Sequence, residues 1–316
     1  MEAPPRVAVV VLNYHGGEDV LRCVEAIIRG SAPAHVIVSD NGSTDGSADR
    51  IEGRFPDAEV LRNGKNLGYC EGNNVGIRRA LERGARSVLL LNDDAFVLEG
   101  ALSRMLETLE GSPEVGIVGP RIVFDHDPDL VWAAGGAAGF APNVLSLRGH
   151  LTRGEDLASL PEKVDFVPGC ALLVKAEVLR EVGLLDPVFF AYFEDADFCY
   201  RARKAGHGVV YEPRAIVRHR VSASTGGGLS PTRKYLMGLN SWIFLRRHGT
   251  FSLWAAWLVF DVILLPVALL HGVLRGRGRA ALAKARGILH GVLGRTADAS
   301  SLGQEIPPRP GGEDPS

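Results

Sequence analysis

Strand and helix patterns alternate four times in the first 111 residues, and this order constrains the fold more than any other feature of the sequence. Continuous runs of β-branched residues predict strands that are covered on both faces, and apolar residues at helical spacing predict the helices between them. The predicted strands are 6–14, 34–41, 58–63 and 87–94, and the predicted helices are 18–28, 47–55, 71–84 and 98–111. This order predicts an α/β fold with a mostly parallel, doubly wound sheet and helices on both faces.

The pattern after residue 115 is less regular. Glycines and prolines separate three further strand-like segments, at 116–124, 129–136 and 164–175. Residues 134–163 show no clear period, which predicts a loop that acts as a lid or contacts an acceptor.

Polar residues follow three of the predicted strands at the point where each strand ends. The three groups are Asn13-Tyr14, Asp40-Asn41 and Asn92-Asp93-Asp94. A single Asp at such a place is usually a helix N-cap. Because ligands bind beyond the carboxyl ends of the strands in a doubly wound sheet, three polar strand ends together predict one binding crevice.

The first strand-to-helix turn, NYHGGEDV, lacks two common phosphate-binding patterns. It has neither the G-x-G-x-x-G spacing of dinucleotide sites nor the lysine of a P-loop. It also lacks the arginine or lysine that a sugar-nucleotide nucleotidyltransferase would place there. The crevice is therefore predicted to bind a nucleotide in another way.

Two acidic clusters carry the chemistry that the sequence predicts. Adjacent carboxylates at Asp93 and Asp94 repel each other, and a divalent cation such as Mg²⁺ or Mn²⁺ relieves that repulsion. The second cluster, Glu194, Asp195 and Asp197, opens a predicted helix after an aromatic run. Capping explains one of these acids, and the others predict a general base. A cation that holds a departing diphosphate and a base that activates a hydroxyl together predict displacement at a sugar carbon.

Charge and cysteine content exclude other classes of protein. The formal net charge of −2 disfavours nucleic-acid binding, which needs a basic surface. The four cysteines form no CxxC pair, so neither a zinc site nor a disulfide framework is predicted. The N-terminus lacks the basic and apolar regions of a secretory signal, which predicts a cytoplasmic location.

An apolar segment at 251–274 is close to the length of about 20 residues that spans a bilayer. Asp261 and Pro266 interrupt it, so a membrane span, an in-plane helix or hairpin, and a buried helix of a homodimer interface all stay open. Basic residues that suit anionic lipid headgroups on the cytoplasmic side follow at Arg275, Arg277, Arg279, Lys284 and Arg286.

Five segments, in this order, resemble bacterial family 2 glycosyltransferases with the GT-A fold, and most closely their rhamnosyltransferase-like branch. The segments are VVVLNY, VSDNGSTDGS, NLGYCEGNNVGI, LLLNDDAFV and FFAYFEDADFCYRARKAG, within about residues 6–245. The resemblance implies inverting transfer of a sugar, with Mg²⁺ or Mn²⁺, from a pyrimidine nucleotide diphosphate to a hydroxyl of a lipid-linked or polysaccharide acceptor. The first expectation for the donor is dTDP-rhamnose, and a UDP-sugar is the second.

The resemblance also implies roles for matching residues. Leu12, Asn13, Tyr14 and Asp40 are expected to line the base pocket, with Asp40 accepting from the pyrimidine N3–H, while Asn41, Ser43 and Asp45 shape the next turn. Asn66, Gly68, Asn73 and Asn74 approach the nucleotide and the donor sugar, and Asp93 faces the ribose. Asp94 and His219 are expected to bind the metal, Asp195 to act as the base, and Glu194 and Asp197 to orient the base or the acceptor.

The chain departs from the family pattern at one helix. Many members carry an Arg-Asn pair where this sequence has Leu239-Asn240. Two alternatives are open for the basic residues of this helix: one of them makes the phosphate contact in place of that arginine, or they face anionic lipid. These residues are Arg233, Lys234, Arg246 and Arg247.

The predicted organisation has three parts. Residues 1–245 form the GT-A domain, with a nucleotide-binding half at 1–120 and an acceptor half at 121–245. Residues 246–296 form a helical membrane-associated or interface region, and the Pro/Gly-rich tail at 297–316 is predicted to be disordered. The expected location is the inner face of the cell membrane. The alternatives are a catalytically inactive membrane-attached scaffold that binds sugar nucleotides, and a nucleotidyltransferase.

Overall fold

The computed structural model describes residues 6–30, 32–153, 162–221 and 230–297, which form a ten-stranded sheet between helices and a C-terminal helical layer. The predicted disordered tail lies outside these residues except for Ala297. The first half contains β1 (Val7–Asn13), α1 (Gly17–Ile28), β2 (His35–Asp40), α2 (Ser47–Arg54), β3 (Glu59–Arg62), α3 (Gly68–Glu82), β4 (Ser87–Asn92), β5 (Ala95–Val97) and α4 (Ala101–Gly111).

The second half contributes seven strands and two helices to the described part of the chain. They are β6 (Val115–Phe124), β7 (Val131–Ala133), β8 (Gly136–Ala138), β9 (Leu145–Leu147), β10 (Glu162–Lys163), β11 (Ala171–Lys175), α5 (Ala176–Val182), α6 (Glu194–Lys204) and β12 (Gly208–His219). The C-terminal layer contains α7 (Pro231–His248), α8 (Phe251–Trp257), α9 (Leu265–Leu274) and α10 (Gly278–Val292).

The strand order in the large sheet is β10-β12-β6-β11-β4-β1-β2-β3, with β5 paired to β12 and β7 paired to β6. Strands β4, β1, β2 and β3 are parallel, as the alternating pattern predicts. Strand β11 runs antiparallel to both β4 and β6, so the complete sheet is mixed. The register places Asn13 beside Asp40 and Leu12 beside Asn92, which brings the predicted polar strand ends to one edge.

Alternation along β1 supplies both faces of the sheet with core residues. Val7, Val9 and Val11 join a buried cluster with apolar residues of α1, α2 and α4. Ala8 and Val10 join a second cluster with residues of α3, α5 and α6. Strand residues that are apolar on both faces therefore place helices above and below the sheet, as predicted.

Several predicted boundaries were wrong. The segment at 134–163, predicted as a loop, contains the hairpin of β8 and β9, although residues 154–161 lie outside the described part. Strand β12 was not predicted, because Pro213 and alternating arginines interrupt its apolar pattern. The predicted helix at 98–111 begins at Ala101, because the chain first forms β5.

Within the C-terminal layer, α7 and α10 pack closely against each other. A Cβ atom added at Gly287 would clash with the carbonyl oxygen of Tyr235, and one at Gly238 would clash with that of Lys284. The two helices therefore touch backbone to backbone. Beside them, the buried carboxylate of Asp261 forms an ion pair with Lys284, so this acid faces the protein and not the outer surface.

The outer surface of this layer is apolar. Large side chains on it are exposed, among them Ile263 (60%), Val267 (63%), Leu270 (62%) and Leu274 (77%). Over the ranges that the structure describes, no single helix is both long and apolar enough to cross a membrane. The segments Phe251–Ile263 and Leu265–Leu274 reach that length only as a pair, bent by 46°.

All four cysteines are buried free thiols. Burial raises the pKa of each thiol above its ordinary value. Cys70 and Cys199 lie in one core cluster, and Cys23 and Cys170 lie in the other.

Candidate functional site

An open cavity of about 240 Å³ lies beyond the carboxyl ends of β1, β2 and β4. Both predicted acidic clusters contribute to its wall, although about a hundred residues separate them in the chain. The predicted site residues that line it are Leu12, Tyr14, Asn41, Asn66, Gly68, Asp94, Glu194, Asp195 and His219. Asn13, Asp40, Asn73, Asp93 and Asp197 are not among the lining residues.

A larger groove of about 450 Å³ lies elsewhere, beside β10 and β12, and several of its charged side chains form ion pairs within the protein. Arg148 pairs with Glu162, Arg203 with Asp165 and His207 with Glu181. Arg148, Arg203, Asp165 and His207 of its lining are therefore already paired within the protein.

Asn13 and Asp40 join the ends of β1 and β2. The Asn13 Nδ2 group donates to Asp40 Oδ1 at 2.7 Å and to Ser47 Oγ at 2.9 Å. The Ser43 N–H donates to Asp40 Oδ2 at 3.2 Å. These buried bonds fix the turn after β2, and the contact between Asp40 and a pyrimidine base stays a prediction.

Asn41 connects that turn to the start of α3. Its Nδ2 group donates to Asn66 Oδ1 at 3.2 Å and to the Gly68 carbonyl at 3.0 Å. Gly68 has φ +81°, and a Cβ atom there would lie 2.6 Å from the ring of Phe190. Only glycine fits this position, which brings the predicted donor-binding loop against the turn that carries the second acidic cluster.

Asn73 and Asn74 lie further along α3 and do not line the cavity. Asn74 exchanges two hydrogen bonds with the backbone of Leu185, at 2.8 and 3.1 Å. Asn73 Nδ2 donates to the carbonyl of Tyr69, and its buried Oδ1 has no hydrogen-bond partner in the described part of the chain. Asn74 therefore anchors the helix, and a role for Asn73 toward the donor stays a prediction.

The adjacent acids Asp93 and Asp94 point to different partners, which reduces their repulsion. Asp93 accepts from the Tyr14 N–H at 3.4 Å. Asp94 Oδ1 lies 3.1 Å from His219 Nε2, and both side chains are almost fully buried. Pairing of β5 with β12 places Ala95 beside His219, so the sheet itself brings this histidine to the acids.

The Asp94–His219 pair offers one carboxylate and one imidazole to a divalent cation. Among the residues that the structure describes, no group of three or more His, Cys, Asp or Glu side chains gathers at one point. A carboxylate and an imidazole nitrogen on the cavity wall are enough for an ion that takes its other ligands from substrate phosphates and water. The donor set therefore fits a cation that is bound together with a diphosphate.

The second acidic cluster follows a strained turn. Three of the four residues after Pro187–Phe189 are non-glycine residues with positive φ: Phe190 (59°), Tyr192 (70°) and Phe193 (73°). Asn240 of α7 holds this turn, because its Nδ2 lies 2.8 Å from the carbonyl oxygens of Phe189, Ala191 and Tyr192. Strain of this kind persists only where the surroundings enforce it, and it concentrates at functional sites.

Asp195 and Glu194 differ in their hydrogen bonds. Asp195 accepts from the N–H groups of Gly169 at 3.0 Å and Ala196 at 2.7 Å. Burial raises the pKa of Asp195, and these bonds only partly offset the effect. Burial, together with the charge of Asp195, raises the pKa of Glu194 well above its ordinary value. A carboxylate with a raised pKa in a cavity is suited to accept a proton.

Asp197 lies behind the cavity wall. It is completely buried and contacts Arg201 at 2.8 Å, His248 at 2.9 Å and Arg247 at 3.2 Å. Burial alone would raise its pKa, but the hydrogen bonds from His248 and Arg201 and the nearby positive charges leave it lowered. Asp197 therefore connects α6 to α7 and does not line the cavity.

Sequence reasoning missed several lining residues. Tyr69 donates its hydroxyl to the carbonyl of Gly169 at 2.7 Å, which supports the loop that binds Asp195. Trp132 packs its ring edge-on against His219, with ring centres 4.9 Å apart. Trp132 belongs to no motif, so no sequence signal identifies it, whereas Tyr69 lies inside the segment NLGYCEGNNVGI and received no role there. The aromatic run before Glu194 was the available signal for Tyr192.

The sequence of the chain is similar to those of known glycosyltransferases. Residues 4–234 match the family model described as "Glycosyltransferase like family 2". The N-acetylglucosaminyl-diphospho-decaprenol L-rhamnosyltransferase of Mycobacterium tuberculosis is 29% identical over 241 residues, which cover 69% of this chain and 77% of the relative. The dTDP-rhamnosyl transferase RfbF of Shigella flexneri is 24% identical over 221 residues, or 68% and 71% of the two chains.

A solved structure shows the same fold. It is the mannosyltransferase PcManGT from Pyrobaculum calidifontis in complex with GDP-Man and Mn²⁺, with a TM-score of 0.58 and 15% identity. The likeness covers 93% of this chain and 88% of the other. The α/β fold of the GT-A type predicted from the sequence is thereby confirmed.

Proposed function

Because the chain belongs to glycosyltransferase-like family 2, we propose that it transfers a sugar, with inversion, from a pyrimidine nucleotide diphosphate to an acceptor hydroxyl. The observation that carries this proposal is that one cavity contains both Asp94 with His219 and Glu194 with Asp195. Such a site can hold a diphosphate near one group and a nucleophile near the other. An inactive scaffold would have no need of both.

Asp195 is proposed as the general base. The N–H groups of Gly169 and Ala196 fix its carboxylate, while its raised pKa favours acceptance of the proton from an acceptor hydroxyl. Glu194, whose pKa is raised further by burial and by Asp195, is proposed to orient the base or the acceptor.

Asp94 and His219 are the proposed protein ligands of Mg²⁺ or Mn²⁺. When bound, the ion supplies positive charge that stabilises the diphosphate of the departing nucleotide. Leu12, Tyr14, Asn41, Asn66 and Gly68 form the proposed nucleotide side of the cavity, supported from behind by Asn13, Asp40, Asn73 and Asp93.

The proposed donor is dTDP-rhamnose, with a UDP-sugar second. Two relatives support it by name, since both are rhamnosyltransferases and one name includes dTDP. The proposed acceptor is a polyprenyl-linked or polysaccharide glycan, because one of these relatives is named for a decaprenol-linked substrate. In this proposal residues 1–245 carry the reaction, and 246–296 place it at the inner face of the cell membrane.

The membrane part of the proposal is supported by charge. Residues 262–297 contain six arginines or lysines and no aspartate or glutamate. Arg275, Arg277, Arg279 and Arg286 are exposed beside the apolar surface. Two copies of such a surface would repel each other, whereas anionic lipid attracts it. We therefore favour lipid over a homodimer.

A donor screen with Asp195→Asn tests the reaction. Release of dTDP or UDP from sugar nucleotides is measured with Mg²⁺ or Mn²⁺, with and without EDTA. We expect Asp195→Asn to lower turnover by about 10²–10⁴-fold while nucleotide binding stays within a few-fold of the unaltered protein. A wild-type protein that neither binds nor hydrolyses any sugar nucleotide, with EDTA making no difference, would refute the proposal.

A further inference from the structure

Arg233 is the only lysine or arginine among the described residues that line the cavity. It lies in the first turn of α7, where its backbone N–H donates to the Ser230 hydroxyl at 3.2 Å. Its guanidinium carbon lies 5.4 Å from the centre of the Tyr192 ring, in the strained turn before Glu194. The residue therefore brings a permanent positive charge to the wall that also holds the second acidic cluster.

The charge of Arg233 is not neutralised by a protein carboxylate within the described ranges. Its Nε atom is buried without a hydrogen-bond partner there. The aromatic ring of Tyr192 orients the guanidinium, and no protein carboxylate in the described ranges occupies its N–H donors. Such a guanidinium is suited to bind a carboxylate or a phosphate.

The other three candidate cations of this helix are in different situations. Arg247 is already paired, with Asp186 at 2.8 Å and with Asp197 at 3.2 Å. Arg246 is exposed and lines a separate cavity beside Arg295. Lys234 is absent from the lining of the cavity, and burial, with the charges of Lys284 and Arg233, lowers its pKa.

Leu239 excludes a contact from the position where many family members carry arginine. It is fully buried and packs in an apolar cluster with Phe190, Leu236 and Ala297. The helix therefore has only its first turn from which to reach the cavity with a cation. Arg233 occupies that turn.

A diphosphate needs such a cation here. The cavity wall contains the carboxylates of Asp94 and Asp195, whose negative charges oppose an incoming anion. A divalent ion at Asp94 and His219 offsets part of this repulsion, and a guanidinium can bind phosphate oxygens through two parallel hydrogen bonds.

We propose that Arg233 binds a diphosphate group in the cavity and replaces the arginine that this chain lacks at Leu239. The inference deepens the proposed function and rests on it, because two proposed substrates carry such a group. One is the nucleotide of the donor, and the other is a polyprenyl diphosphate acceptor.

The test uses titration calorimetry of the full chain with dTDP, UDP and inorganic pyrophosphate in the presence of Mn²⁺. Wild type is compared with Arg233→Ala, Arg233→Lys and the control Arg246→Ala on the same helix. We expect Arg233→Ala to weaken nucleoside diphosphate binding about tenfold or more, because it removes a charge-assisted contact. Lysine keeps the charge without the fork and should be intermediate, and Arg246→Ala should equal wild type.

The outcomes separate the two sources and the two proposals. Unchanged dTDP and UDP binding with a tenfold higher KM for a short-chain polyprenyl diphosphate acceptor assigns Arg233 to the acceptor. Pyrophosphate binding that depends on Arg233 in a protein that binds no nucleotide supports the anion site and refutes the donor proposal. Equal binding of all three anions and an equal acceptor KM in wild type and Arg233→Ala overturn the inference. Melting curves check folding, and Arg233→Gln replaces alanine if that variant unfolds.

Discussion

Asp195 and Glu194 are neighbours in the chain, yet their carboxylates differ in the hydrogen bonds that they accept. Asp195 receives two N–H bonds, whereas Glu194 Oε2 is buried without a hydrogen-bond partner in the described residues. A buried carboxylate in that state resists ionisation. The pair therefore combines a carboxylate fixed by two N–H groups, the proposed base, with a neighbour whose charged form is disfavoured.

The acid limb of the reaction should reflect the raised pKa of Asp195. The base form exists only above that pKa, so kcat/KM should fall with decreasing pH at a higher pH than an ordinary Asp, near 3.9, would give. A pH profile of kcat/KM from pH 4 to pH 8 measures it. A rate that stays flat down to about pH 4 would contradict the assignment of Asp195 as base.

Glu194→Gln should raise stability at pH 8 at the expense of activity. The folded pKa of Glu194 lies above its unfolded value, so the wild-type fold is most stable below the unfolded pKa and loses stability as pH rises to the folded pKa. Glutamine does not titrate, so its advantage in Tm should be present at pH 8 and vanish near pH 4. Thermal melts at the two pH values test this, with Glu181→Gln as an exposed control. An equal change at both pH values would show that the effect is not electrostatic.

Helices α6 and α7 meet at a buried charge cluster that the sequence did not reveal. Asp197 was predicted to act beside Asp195. It lies two positions further along α6, and its carboxylate contacts Arg201, Arg247 and His248 instead of lining the cavity. A motif shows which acids occur together, whereas their direction depends on where the helix lies. Helix α7 then fixes the strained turn through Asn240.

Asp197→Asn should loosen this contact between α6 and α7. Removing one partner of a buried ion pair leaves the others unpaired and costs about 3–5 kcal/mol. Because the folded pKa of Asp197 is lowered, its contribution is present above the unfolded pKa, near 4, and is lost as pH falls through the folded pKa. Denaturant unfolding at pH 7 and below pH 4 measures the difference.

The control for this variant is Glu181→Gln. Glu181 is 55% exposed and pairs with His207, so its loss should cost about 0–1 kcal/mol. A similar loss in the two variants at pH 7 would mean that the cluster around Asp197 does not hold the helices together.

Elements with a strong local period were predicted well, and those defined by distant pairing were not. The ends of β1, β2 and β4 fell where the apolar runs stop, since a parallel strand buried on both faces leaves a clear signal. Strand β12 has no such signal, because its pairing with β6 and β5 comes from residues about a hundred positions away. The sequence could not rank the four basic residues that were candidates for the phosphate contact, because only the position of α7 shows that Arg233 lines the cavity.

At the scale of the whole molecule, the apolar surface of α9 and α10 and the core cluster of α1 lie on different sides of the sheet. Ile288 of α10 packs with the cluster that includes α3 and α6, and Val24 of α1 packs with the other. A membrane that covers the C-terminal layer would therefore leave α1 in solution.

Vesicle binding should distinguish these two sides. We expect the full chain to float with phosphatidylglycerol vesicles, to bind neutral vesicles less, and to release at high salt. The double variant Val267→Glu and Leu270→Glu should lower binding at least tenfold, because it removes two apolar contacts of about 1.5–3 kcal/mol each. Ile28→Glu, an exposed residue of α1, should have no effect. Equal flotation of all variants, or a stable dimer that the double variant dissociates, would refute the lipid surface.

The glycine contacts between α7 and α10 have an evolutionary consequence. At Gly238 and Gly287 no side chain larger than hydrogen fits, because the facing backbone occupies the space. Helix α7 also carries Arg233, which lines the cavity, and Asn240, which holds the turn beside it, so the packing of α10 on α7 contributes to the shape of the cavity. Such a tail cannot be exchanged between relatives as an independent module, and its sequence must change together with that of the domain it supports.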